Sequence, residues 1–134
     1  MKAFLYLFVL LVFSPWQSAL AESTKVIMHL NDTSKLPHLE KNIDNIRKGM
    51  GKDVDIQVII NGRAVTAMLS GNKLIEDKVR SMLNNNAKIG LCHTAMRNNN
   101  VNEDLLIKGV TILPEGGIVT IIKLQKAGYA YIKL

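Results

Sequence analysis

The sequence predicts one α/β domain whose sheet is mainly parallel and covered on both faces. Two observations predict it: apolar, strand-like runs alternate with helical segments, and several of those runs are almost purely apolar, as strands buried on both faces are. No internal repeat or low-complexity tract interrupts the pattern after residue 21, which leaves a single compact unit.

Each element has its own signal. Lys25 to Leu30 (K-V-I-M-H-L) is a compact apolar run that stops at Asn31-Asp32-Thr33-Ser34, residues of turns and helix caps, and is the first strand. Leu36, Leu39, Ile43, Ile46 and Met50 then recur at spacings of three and four, with Glu40, Lys41, Asp44, Arg47 and Lys48 between them, which is an amphipathic helix. Pro37 fits its first turn, where no backbone donor is needed, and Gly49 and Gly51 end it. Val54 to Ile60 (V-D-I-Q-V-I-I) begins with alternation and finishes fully apolar, a strand entering the middle of a covered sheet, and Asn61-Gly62 closes it.

A short helix is expected over Arg63 to Ser70 and a longer one from Lys73 to about Leu83, with Ile75, Val79, Met82 and Leu83 on one side and Asn84-Asn85-Asn86 as the stop. Ile89 to Leu91 is the third strand; Cys92, His93 and Thr94 lead from it into the opening of another helix. Glu103 to Ile107 makes one or two helical turns, Val110 to Leu113 is a fourth strand, and Pro114-Glu115-Gly116-Gly117 is a loop. Ile118 to Leu124 fits both periods: its β-branched content favours a strand, while Ile118, Ile121, Ile122 and Gln125 share a helical face. Alternation returns in Tyr129 to Leu134, the last strand.

The first residues read as an export signal. Lys2 supplies the positive charge, Ala3 to Phe13 is an unbroken apolar run, Ser14 and Pro15 break it, and Ala19-Leu20-Ala21 offers a small-residue cleavage site. The run is about half of what a membrane span needs. Residues 1–21 are therefore expected to be removed, leaving a domain at 22–134 in the periplasm or outside the cell, with no membrane attachment. One of the six net positive charges belongs to Lys2, leaving +5 spread along the rest. Lys25, Lys35, Arg63, Lys73, Arg97, Lys108, Lys123, Lys126 and Lys133 form no run of the kind that binds nucleic acid, and aromatic residues are scarce.

The chemistry converges on the single cysteine. Export normally goes with disulfides, but Cys92 has no partner in its own chain and must be buried, capped, shared with another subunit or kept for exchange. A thiol at a strand-to-helix junction lies near the positive end of a helix dipole, which favours thiolate, the nucleophilic form; the competing reading is a small packed hydrophobe. In parallel α/β folds, ligands gather beyond the carboxyl ends of the strands, which collects Asn31, Asp32, Asn61, Gly62, Cys92, His93, Thr94, Glu115, Gly116 and Gly117 on one edge. No metal site is expected: Cys92 and His93 are adjacent rather than at ligand spacing, and His29 and His38 fall in the first strand and first helix, His29 as a hydrogen-bonded sheet residue. Gly116-Gly117 lacks the fuller dinucleotide fingerprint, so no cofactor is expected. Asp32 is more simply a cap than half of an acid/base pair.

Four stretches carry a family resemblance: V-I-M-H-L-N-D at 26–32, V-I-I-N-G-R-A-V at 58–65, I-G-L-C-H-T-A-M at 89–96, and L-P-E-G-G-I-V-T-I-I-K-L-Q-K-A-G-Y-A-Y-I-K at 113–133. Through them the chain resembles the DsrE/DsrF-like family over nearly all of residues 22–134. The resemblance implies a flavodoxin-like, three-layer domain with a five-stranded sheet, a helix from Gly117 to Ala127, and assembly into trimers or hexamers. It also implies sulfur relay, with Cys92 as the persulfide-forming thiol between donor and acceptor proteins. A carrier calls for a partly exposed thiolate, with His93 and Thr94 beside it, although His93, as a neighbour in sequence that can point elsewhere, reads more simply as a surface or interface histidine. The alternative is a non-catalytic subunit, binding a small ligand or serving assembly, with the cysteine merely packed; a peroxide-reactive thiol lacks a resolving cysteine.

Overall fold

The computed structural model describes residues 23–134, so the expected leader and its cleavage point lie outside the described residues. Five strands, β1 (Lys25–Leu30), β2 (Asp55–Ile60), β3 (Ala87–Cys92), β4 (Thr111–Leu113) and β5 (Ala130–Lys133), form one sheet in the order β4-β3-β2-β1-β5. Every neighbouring pair is parallel. Four helices connect them: α1 (Leu36–Met50), α2 (Lys73–Asn84), α3 (His93–Asn98) and α4 (Gly117–Lys126). The segment Gly62–Met68, expected as a short helix, is wound as 3-10 turns, as are Thr33–Lys35 and Glu103–Leu105.

The handedness of crossovers explains the layering. From β1 to β4 the chain steps in one direction across the sheet, so right-handed connections put α1, α2 and α3 on the same face. The last connection runs back from the β4 edge to the β5 edge, and the same hand places α4 on the opposite face. Alternation along the strands serves both layers: Val26, Met28 and Leu30 pack with Leu39, Ile43, Val79 and Met82, whereas Ile27 and Ile59 meet Ile121 of α4. Coverage is unequal. One helix shields the second face, and Ile118, Val119 and Ile122 on its outer side stay exposed, as do Tyr131 and Ile132 of β5.

Polar ties hold the margins. At the end of α1, Arg47 donates from Nε to the Asn85 carbonyl (2.8 Å), from Nη1 to the carbonyls of Lys52 (2.9 Å) and Val54, and from Nη2 to that of Asn86 (3.2 Å). On the α4 face, Asp55 accepts from Tyr129 Oη, from Lys88 Nζ (3.1 Å) and from Gln57 Nε2 (3.0 Å). Burial pushes its carboxyl up, but the hydrogen bonds from Tyr129 and Lys88 outweigh it and hold the group below the usual carboxylate range. A depressed carboxyl contributes stability that is present above the unfolded pKa, about 3.9, and is lost as pH falls through the lower folded value. Urea midpoints measured from neutral pH into that acid range are therefore expected to fall less steeply for Asp55→Asn than for the wild type; parallel curves would show that Asp55 plays no part.

Candidate functional site

In a parallel sheet all strands end on the same side, and the structure brings the expected segments to that edge: Asn31-Asp32 after β1, Asn61-Gly62 after β2, Cys92 at the end of β3 and Gly116-Gly117 at the opening of α4. They are not equivalent. The connection leaving β3 turns to one face and that leaving β4 to the other, so the sheet's switch point lies between these two strands. Cys92 stands there, paired in register with Leu113.

Gly117 brings α4 down onto the sheet at this point. A Cβ on it would lie 3.2 Å from both Cys92 Cβ and Ile59 Cγ2 and 3.5 Å from Asn61 Cβ, tight enough at the first two that those neighbours would have to give by a few tenths of an ångström. Gly116 holds the turn before it with φ +91°, its N–H bonded to the Leu113 carbonyl and its carbonyl receiving Thr120 N–H. The position a Cβ of Gly116 would occupy is 3.9 Å from Cys92 Sγ and 3.8 Å from Thr94 Oγ1. The thiol thus faces an atom-sized gap bordered by the Thr94 hydroxyl, beside the helix end whose first N–H groups have no carbonyl partner within the helix. Cys92 is only 7% exposed, in place of the partly exposed thiolate expected of a carrier, because Gly117 seats α4 against its Cβ.

The other expected residues separate from it. His93, 36% exposed, turns its Nε2 toward Glu103 (3.8 Å) and lines a shallow cavity with Ile112 and Pro114. Asp32 accepts Ser34 N–H at 2.9 Å, an exposed cap whose carboxyl that backbone hydrogen bond lowers below its usual range. Asn31 accepts from Lys133 Nζ two strands away from Cys92, roughly 10 Å at ordinary strand spacing. Gly62, at φ +57°, starts the 3-10 turn, and its carbonyl accepts from Asn99 Nδ2 at 3.4 Å. Asn61 belongs with Cys92, and with it two residues absent from the expected set, His29 and Tyr131. His29 is 6% exposed, with Nδ1 2.7 Å from Tyr131 Oη and Nε2 2.9 Å from Asn61 Oδ1. Its sequence signal was a lone histidine inside an apolar strand.

Among the described residues, no group of three or more His, Cys, Asp or Glu side chains is placed to hold a metal ion, and no helix is long and apolar enough to cross a membrane. Solved structures similar to this one include a protein of unknown function from Methanobacterium thermoautotrophicum (22% identity, TM-score 0.76, covering 84% of this chain and 100% of that one). The ychN protein of E. coli is similar at 21% identity and TM-score 0.67, covering 84% and 99%. A conserved protein of unknown function from Bacteroides thetaiotaomicron follows at 18% and 0.64, covering 82% and 94%. At these identities the likeness is one of fold. Among curated proteins none matches the chain. The DsrE/DsrF-like family matches residues 19–134, and with its switch-point cysteine and all-parallel sheet this chain belongs to that family.

Proposed function

We propose that the chain is an exported sulfur carrier of the DsrE-like kind, in which Cys92 accepts a sulfane sulfur as a persulfide and hands it on. The observation that carries this reading is the gap beside Sγ. A second sulfur stands about 2 Å from the first, a reach that ends in the space left by Gly116, within range of the Thr94 hydroxyl and close to the amino end of α4. An anionic outer sulfur gains from both. In the step itself the Cys92 thiolate attacks a sulfane sulfur of a polysulfide; the donor's S–S bond breaks as the new one forms, and the shortened polysulfide leaves with the electron pair. Attack by an acceptor thiolate on the outer sulfur returns Cys92, so no oxidant is consumed.

Intact-mass measurement after exposure to polysulfide is expected to show a reductant-reversible gain of one sulfur on the wild type and none on Cys92→Ser. A folded wild type without the adduct would remove the carrier reading and leave the packed-cysteine alternative, a ligand-binding or assembly subunit, which the 7% exposure of Cys92 also fits. Native mass spectra of the same sample read the copy number. The exposed apolar residues of α4 and β5 support a trimer or hexamer, and a lone monomer would remove that part of the proposal.

A further inference from the structure

Asn61 opens the 3-10 turn at Gly62–Met68, a position where an asparagine side chain ordinarily accepts from the turn's own N–H groups. It makes no such cap. Its Oδ1 is engaged by His29 Nε2 instead, and because a carboxamide oxygen only accepts, Nε2 carries the ring proton. Nδ1 is then bare and receives the Tyr131 O–H. Burial, with a contribution from Lys133, keeps His29 below its usual range despite the Asn61 bond, so near neutral pH the ring is uncharged and holds this one tautomer. Tyr131 comes from β5, His29 from β1 and Asn61 from the position just after β2, and all three lie on the α4 face of the sheet.

Fixing the oxygen fixes the nitrogen. The Asn61 NH2 group donates to nothing among the described residues. In the β2–β3 register Ile60 faces Leu91, so the next residues along, Asn61 and Cys92, stand side by side, and their Cβ atoms both lie within 3.5 Å of the point left empty by Gly117. We propose that Asn61, which makes no hydrogen bond to the resting thiol, becomes the side-chain donor to the sulfur of Cys92 once that sulfur is ionised, and that His29, held by Tyr131, is the positioning residue that aims it. This rests on Cys92 being the working thiol, as proposed above, and it moves the accessory role from His93, which faces Glu103, to a residue one strand away.

The test is the rate at which Cys92 reacts with iodoacetamide near neutral pH, measured on variants whose folding is checked by circular dichroism. Asn61→Ala is expected to slow the reaction about fivefold, the worth of one hydrogen bond to the reacting group. His29→Leu should slow it to the same degree, and the double variant no further than Asn61→Ala alone, since His29 acts only through Asn61. His29→Gln, whose amide nitrogen occupies the place of Nε2, should restore most of the rate. Tyr131→Phe, which removes a single hydroxyl and keeps the ring, should give a smaller fall in the same direction and serves if His29→Leu does not fold. An inert wild-type thiol, equal rates in wild type and Asn61→Ala, or additive losses in the double variant would overturn the assignment. Alkylation is read separately from sulfur uptake: the expected rate pattern in a protein that takes no sulfur from polysulfide would sink the carrier function while sustaining the Asn61–His29 device.

Discussion

Arg47→Ala is expected to lower the free energy of unfolding by about 3 kcal/mol, read as a fall in the urea midpoint at unchanged slope. Its guanidinium gathers four backbone carbonyls, those of Lys52 and Val54 before β2 and those of Asn85 and Asn86 after α2. Those segments lead into β2, the central strand of the sheet, and β3 beside it. A hydrogen bond from a charged donor contributes about 1.5–3 kcal/mol, and the four share one ion at a partly solvated site, so their sum is well below four independent bonds. Lysine should recover less than half of the loss, because an ammonium on a flexible stem reaches one or two of these oxygens where the planar fork reaches all four. A loss below about 0.5 kcal/mol, the range of ordinary surface substitutions, would show that the clasp is incidental.

Gly117→Val is expected to cost about 2 kcal/mol and to make Cys92 react faster with a bulky aromatic disulfide. Two opposed effects meet at this position. Replacing a helical glycine gains up to about 1 kcal/mol in backbone propensity, but overpacking costs about 1–3 kcal/mol. The contacts decide the sign: the new Cβ alone would stand 3.2 Å from Cys92 Cβ and from Ile59 Cγ2, both anchored in central strands and unable to swing away, and valine adds two methyl groups. The relief available is for the first turn of α4 to lift, which uncovers the thiol. Alanine should show the same trend at smaller size. A valine variant as stable as the wild type, with Cys92 no more reactive, would show that α4 does not govern access to the cysteine.

Most of the architecture was legible because it follows from local patterns. The first strand ends where its apolar run ends, at Leu30, and the 36–50 helix declares itself by spacing and by its glycine stop. The segment 118–124 stayed ambiguous for a physical reason: α4 covers the sheet alone and leaves Ile118, Val119 and Ile122 exposed, so the polar stripe that would mark a surface helix is missing. Arg47 read as one more charge on a solvated helix face, since nothing local tells that two loops will fold over it. The Asn61–His29–Tyr131 line was invisible for a similar reason. His29 and Tyr131 are 102 residues apart and meet only through the β1–β5 register, which no periodicity fixes. At the cysteine, the sequence located the strand end but not the depth at which the glycines would bury it.

The sheet order carries a consequence for the life of the chain before it is folded. β1, the first strand of the sheet in chain order, has β5, the last of the five, as its outer neighbour, so that Val26 to His29 pair with β2 on one edge and with Ala130 to Lys133 on the other. Until β5 has been made, one edge of β1 has open backbone N–H and C=O groups, and the contact between His29 and Tyr131 cannot form. The native sheet is thus closed by its last strand: a chain still lacking β5 holds α1 and β2 beside β1 but leaves that edge of β1 unpaired.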